Sequence, residues 1–161
     1  RIIVPDVAGA AQKLELARRF GAHHTIVVDE EDSVAAVRRL TNGKGADVVV
    51  DVSTAAGPVA DAVEMVRNGG TIILAGMKGD HPASLLTDRI VLRAIRLQGV
   101  FTVDSASYVT AIRLVEQHHR ELAELGTQAF ALERAVEAIG RLAGWDGRPP
   151  ATHVVLKPHA S

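Results

Sequence analysis

Three observations predict an α/β fold with a largely parallel sheet. Short apolar or β-branched runs alternate along the whole chain with stretches of helical apolar spacing. The links between them are short, and parallel neighbours need a helical crossover. One run, residues 47–52 (DVVVDV), is almost unbrokenly apolar, as expected of a strand covered on both faces.

The elements follow in order. Residues 2–4 form a short strand, and Pro5 suits only its end or edge. Residues 10–20 place Leu14, Leu16, Ala17 and Phe20 near helical spacing, and Gly21 supplies a stop. Residues 25–28 read as a strand closed by the acids of 29–32. Residues 34–40 read as a helix with Val34, Val37 and Leu40 on one face and Arg38 and Arg39 on the other. Asn42-Gly43-Lys44-Gly45 is a turn before the strand 47–52.

Residues 58–67 predict a helix with Pro58 in its first turn, ended by Asn68-Gly69-Gly70. A strand over 71–75 leads into the loop 76–79, a short helical stretch over 85–93 and a strand over 96–101. A long amphipathic helix covers 107–125 and a shorter one 132–142. After the loop 144–150, a last strand covers 153–157.

The chain has 161 residues, with 47% hydrophobic, 23% charged and a formal net charge of −1. That is one domain's worth of chain, without the basic excess that nucleic acid or an anionic membrane surface would require. Aromatics, at 3%, are too few for base-stacking platforms. There is no cysteine, so neither disulfides nor thiolate metal sites can form within the chain. No run reaches membrane-spanning length and the start lacks a signal peptide's apolar core. A soluble, cytoplasmic protein is expected, and an opening on Arg1 directly in strand-like sequence suggests a piece of a longer one.

In open parallel sheets ligands bind beyond the carboxyl ends of the strands. Asp6 closes the first run, where a carboxylate can accept both hydroxyls of a ribose and repel a 2′-phosphate, favouring NAD over NADP. The plainer alternative is that Asp6 caps the following loop. Lys13 could reach the same ribose or a phosphate, or sit solvated on its helix. Ser53 and Thr54, at the tip of the apolar strand, are small enough to line an adenosine pocket. Gly76 and Gly79 would let backbone approach a flat ring. Ordinary turn chemistry explains each of these equally well.

No catalytic constellation emerges. His23-His24 and His118-His119 lack metal-ligand spacing, and the second pair suits a helix end. No G-x-S-x-G elbow occurs. No G-x-G-x-x-G occurs either: Gly43 and Gly45 supply two glycines, but Val48 stands at the third and the segment precedes a strand. The element that would hold a pyrophosphate at a helix N-terminus is therefore missing.

The segments KLELARRFGAHHTIVVDEED, TNGKGADVVVDVSTAAG and AVEMVRNGGTIILAGMKGD, in that order, resemble zinc-type alcohol dehydrogenases of the medium-chain dehydrogenase/reductase family. IRLQGVF, ALERAVEAIGRLAG and the final THVVLKP fit the same family's carboxyl end. The resemblance covers essentially the whole chain. It implies a Rossmann-like doubly wound parallel sheet, here incomplete at its first strand. Residues 1–108 would be a partial NAD-binding domain, from the second strand onward. Residues 109–161 would be a connecting helix and a segment returning to the catalytic domain.

Residue by residue, the resemblance places Asp6 at the ribose-binding acid and Lys13 at a basic neighbour of the same ribose. Val52, Ser53 and Thr54 fall beside the adenosine. Leu74, Ala75, Gly76 and Met77, with Gly99, Val100 and Phe101, fall on backbone segments that hold the nicotinamide. His153 falls near an often basic position close to the pyrophosphate. The family's zinc ligands and proton-relay residues belong to an amino-terminal half that has no counterpart here, so no catalytic or metal-binding residue is assigned.

The implied activity is hydride transfer between a small-molecule alcohol and NAD, with zinc as Lewis acid in the complete family member. This chain alone is expected to be inactive. Loss of a central strand would leave strand edges unpaired, so low stability or association is expected, and the family reading implies a homo-oligomer. Two alternatives stand beside it: the zinc-free NADPH quinone or enoyl reductase branch, against which Asp6 argues, and a non-catalytic nucleotide-binding or subunit-pairing remnant. A methyltransferase would also place an acid at a strand end, but needs a glycine-rich first loop.

Overall fold

A computed structural model describes residues 1–158. In chain order the elements are β1 (Ile3–Asp6), α1 (Ala11–Arg19), β2 (His24–Val27), α2 (Ser33–Leu40), β3 (Ala46–Asp51), α3 (Gly57–Met65) and β4 (Val66–Leu74). They continue with α4 (Thr87–Leu92), β5 (Arg96–Gly99), α5 (Ser105–Gln117), α6 (His119–Leu122), β6 (Gln128–Ala131), α7 (Ala135–Ala143) and β7 (Val154–Lys157). The fold is α/β, and the pairs β3–β4, β4–β5 and β6–β7 are all parallel. The chain divides into two compact units, residues 26–102 and residues 1–25 with 103–158.

In the unit 26–102, a three-stranded sheet of order β3-β4-β5 packs against α3. Ala62, Val63, Val66, Ile72 and Ile95 form its buried core, with Val49, Leu74, Leu85 and Ile90 against them. Apolar burial at these positions is the main stabilising contribution. Asp32 caps α2 by accepting from the Ala35 amide at 2.7 Å. The turn after α2 must pass close to the α3–β4 junction. A Cβ on Gly45, whose φ is +89°, would stand 2.7 Å from the Met65 carbonyl oxygen.

Two arginines close the end of α3. Arg93 donates from Nη1 to the Val63 carbonyl at 2.6 Å and from Nη2 to that of Val66, while Arg38 donates to the Glu64 carbonyl. These bonds satisfy carbonyls that a helix end leaves without partners. Burial, with the charge of Arg38 nearby, pulls the Arg93 guanidinium below its ordinary pKa.

The unit formed by residues 1–25 and 103–158 holds β1, α1 against it, and the β6–β7 pair packed against α7. At the start of the β1–β2 pairing, the Ile2 carbonyl accepts from the amides of His23 and His24. Asp104 caps α5 through the Ser107 amide at 2.7 Å. Along α5 the side chains of Tyr108, Val109, Ile112, Leu114 and Val115 are exposed.

Several elements differ from the sequence reading. Asn68-Gly69-Gly70 does not end a helix. Ala46 pairs with Val66 and Val48 with Thr71, so those residues bulge out within β4. The single helix expected over 107–125 breaks at His118 (φ −117°, ψ 22°) into α5, α6 and a 3-10 turn. Strand β6 lies in the stretch left unassigned between the helices expected over 107–125 and 132–142, because four residues are too few to show a period of two. The strand 47–52 is covered on one face only: Val48, Val50 and Val52 are exposed, while Val49 packs on the core and Asp51 is buried.

Candidate functional site

Register is what assembles the candidate residues of the unit 26–102. Asp51 pairs with Leu74 and Leu74 with Gly99, so the carboxyl ends of β3, β4 and β5 lie in one row. Val52–Thr54, Ala75–Met77 and Val100–Phe101 therefore leave the sheet along the same edge. The amides of Ala75 and Gly76 both donate to the Asp51 carbonyl at 2.9 Å, and that of Val100 donates to the Leu74 carbonyl at 3.0 Å. These three amides hold the edge together. Val52, Met77, Val100 and Phe101 are exposed along it, which leaves an apolar rim of the kind that covers a flat ring.

Beneath that rim lies a polar cluster that the sequence reading missed. Asp51 is 6% exposed. Its Oδ1 accepts from the Ser53 amide at 2.9 Å and the Ser53 hydroxyl at 2.7 Å, and its Oδ2 lies 2.7 Å from the Lys78 ammonium. Lys78 also donates to the Ser53 carbonyl at 2.5 Å and to Ser53 Oγ at 3.0 Å. The ammonium thus donates to two oxygens of Ser53 and is ion-paired with the Asp51 carboxylate. Burial pushes the Asp51 carboxyl up, but the hydrogen bonds from Lys78 and Ser53 outweigh it and hold the group below the usual carboxylate range.

Gly76 completes the contact between the two tips. A Cβ there would stand 2.6 Å from Val52 C and 2.8 Å from the Ser53 amide nitrogen, and closer still to the Ser53 carbonyl oxygen. Its small size is used to bring β3 and β4 backbone together. Gly79 (φ +60°) has open space where its Cβ would be and serves the turn.

The remaining sequence candidates lie in the unit formed by residues 1–25 and 103–158. Asp6 ends β1 half-buried, and its Oδ1 accepts from the adjacent Val7 amide at 2.8 Å without capping the turn or helix that follows. Lys13 is exposed on α1. His153 Nδ1 is 2.9 Å from the Thr127 hydroxyl, and His23 Nδ1 accepts from the Ile2 amide at 3.0 Å. Among the described residues no three His, Cys, Asp or Glu side chains are grouped to hold a metal. No described helix is long and apolar enough to cross a membrane. A surface depression of about 400 Å³ runs along α5, lined by Val103, Tyr108, Ile112 and Val115, and it is apolar.

Comparison with known proteins matches residues 1–117 to the family described as zinc-binding dehydrogenase. The chain is 37% identical over 153 residues to a probable alcohol dehydrogenase of Mycobacterium tuberculosis, covering 92% of this chain and 41% of that protein. It is 33% identical over 132 residues to the D-xylulose reductase of Saccharomyces cerevisiae, covering 78% of this chain and 36% of that one. Among solved structures, an alcohol dehydrogenase from Thermotoga maritima superposes with a TM-score of 0.85 at 22% identity, over 99% of this chain and 43% of that one. The chain thus spans about two fifths of the length of the relatives it matches.

Proposed function

The chain belongs to the zinc-binding dehydrogenase family, and from that membership we propose that it supplies the coenzyme-binding part of an NAD-linked alcohol or polyol dehydrogenase. The observation that carries this reading is the row Asp51–Leu74–Gly99. It brings the candidate tips to one edge of a parallel sheet, where such folds bind ligands. The exposed Val52, Met77, Val100 and Phe101 and the side-chain-free Gly99 suit a flat aromatic ring. NAD, when bound, supplies the hydride acceptor.

In this reading Val52, Ser53 and Thr54 would line the adenosine. Leu74 to Met77 and Gly99 to Phe101 would hold the nicotinamide face and carboxamide. Asp6 would accept ribose hydroxyls with its second carboxylate oxygen, beside Lys13, and its charge would disfavour a 2′-phosphate. The division at residue 108 into a coenzyme domain and a returning segment, cytoplasmic location and homo-oligomeric assembly belong to the same proposal.

Zinc does not fit the described residues, which offer no ligand set, so no step is routed through it. With no metal-binding group among the described residues to polarise an alcohol, the chain alone is expected not to turn over. A subunit-pairing role is the second reading, favoured by the exposed Val48 and Val50 on β3 and Val52 just beyond it.

Calorimetric titration with NAD and NADP tests the coenzyme reading. NAD is expected to bind at least about tenfold more tightly, and Asp6→Ser to narrow the gap. Equal affinities, or a gap unchanged in D6S, would refute the role of Asp6. Growth of NADH absorbance with NAD, zinc and a panel of alcohols would refute inactivity of the isolated chain.

A further inference from the structure

Lys78 stands outside every role assigned above, yet its ammonium is the most fully engaged charge near the strand tips. Its side chain, 14% exposed, folds back from the loop after β4 to the Ser53 carbonyl, the Ser53 hydroxyl and Asp51 Oδ2. It donates to both Ser53 oxygens and has the Asp51 carboxylate as counter-charge at 2.7 Å, so the ammonium is committed to this cluster. A surface lysine gains little from one ion pair. A buried one with complete partners fixes the geometry of whatever it joins. What it joins here are the two adjacent tips that carry Val52 and Met77 on the rim.

We propose that Lys78, acting through Ser53 and Asp51, is a positioning residue that clips the loop after β4 to the tip of β3 and so sets the spacing between the tip assigned to the adenosine and the loop assigned to the nicotinamide. This rests on the coenzyme reading above. The geometry gives the clip its specificity. Gly76 presses directly on the Ser53 backbone, and the Ala75 and Gly76 amides bind the Asp51 carbonyl. The segment 75–78 is thus tied at both ends, by backbone at 75–76 and by the side chain at 78. Releasing the side-chain end frees Met77 without unpairing the β3–β4 ladder, which ends at Asp51 and Leu74. Ser53, assigned to the adenosine, and Met77, assigned to the nicotinamide, are therefore both held by Lys78.

The test compares the parent chain with Lys78→Met, Lys78→Arg and the double variant Asp51→Asn/Lys78→Met, which removes both charges together and so avoids a buried uncompensated carboxylate. Amide exchange followed by NMR is expected to rise about tenfold or more in K78M at residues 52–54 and 75–79 only, with partial recovery in K78R. Ligand-observed NMR is expected to show NAD weakened by a larger factor than either AMP or nicotinamide mononucleotide, because only NAD spans both tips. The double variant is expected to fold and to show the same loosening.

Exchange and affinities in K78M equal to the parent's would overturn the proposal alone. So would NAD weakened no more than AMP and nicotinamide mononucleotide, or no recovery in K78R. Failure of the parent chain to bind any of the three nucleotides would overturn the coenzyme reading, and the proposal with it.

Discussion

Gly76→Ala isolates the contact between the two strand tips. The added methyl would stand 2.6 Å from Val52 C and 2.8 Å from the Ser53 nitrogen, with the Ser53 carbonyl oxygen closer still. Ordinary contacts are roughly an ångström longer, so one backbone must move. Ser53 resists, because Asp51 holds its amide and hydroxyl and Lys78 holds its carbonyl. Moving it enough to admit the methyl breaks one or two charge-assisted bonds, each worth about 1.5–3 kcal/mol net. The expected loss is therefore about 3–5 kcal/mol, reduced by a few tenths because alanine also restricts the unfolded chain. Gly57→Ala is the control: it opens α3, has nothing within 4 Å of its Cβ position, and should be neutral or slightly stabilising. In urea, a loss of that size moves the midpoint by about 1–3 M at constant slope. A G76A midpoint equal to that of G57A would refute the close approach of the tips and the geometry built on it.

Two further perturbations test the charges of the same unit. Asp51→Asn leaves the Lys78 ammonium without its carboxylate and should cost about 3–5 kcal/mol near neutral pH. The folded-state pKa of Asp51 lies below 3.8, so its contribution is present above the ordinary carboxylate range and lost as pH falls through the folded value. Urea midpoints of parent and D51N should therefore converge as pH falls below about 4, and a constant gap would refute the pairing. Arg93→Met removes the donors to the Val63 and Val66 carbonyls and should lower the melting temperature markedly, at about 2–3 kcal/mol. Arg89→Ala, whose guanidinium is 54% exposed and 3.6 Å from Glu64, should change it little, and equal shifts would show that Arg93 does not close α3.

The fold class was legible because alternation of apolar runs with helical patterns needs only local sequence. One boundary was legible at Gly21, read as a helix stop, whereas Asp32 was read only among the acids closing a strand and proves to cap α2. Boundaries were lost where structure depends on a distant partner. The glycines 69 and 70 read as a stop, yet the pairing of Val48 with Thr71 continues the strand past them. Four residues of β6 carry no period of their own and become a strand only beside β7. The run 47–52 announces burial on both faces, while its odd-side neighbours Val49 and Asp51 alone are covered by this unit's helices and loops.

The candidate site shows the same division between local and distant causes. Strand-end positions could be read directly, and the register does align Val52–Thr54 with Ala75–Met77 and Val100–Phe101. Asp51 was passed over because an acid closing an apolar run looks like the strand's polar end, and nothing local marks Lys78 as its partner. The available signal was a lone lysine between Met77 and Gly79 in a glycine-bounded loop. Gly76 and Lys78 make sense only together. Without a side chain at 76, the β4 tip approaches Ser53 closely enough for the carbon chain of Lys78 to turn back beneath it. With the ammonium in place, the buried Asp51 carboxylate is neutralised and the Ser53 carbonyl is satisfied. The glycine expected to make room for a ligand instead makes room for a neighbouring strand, and the ligand-facing surface is what that close approach leaves exposed.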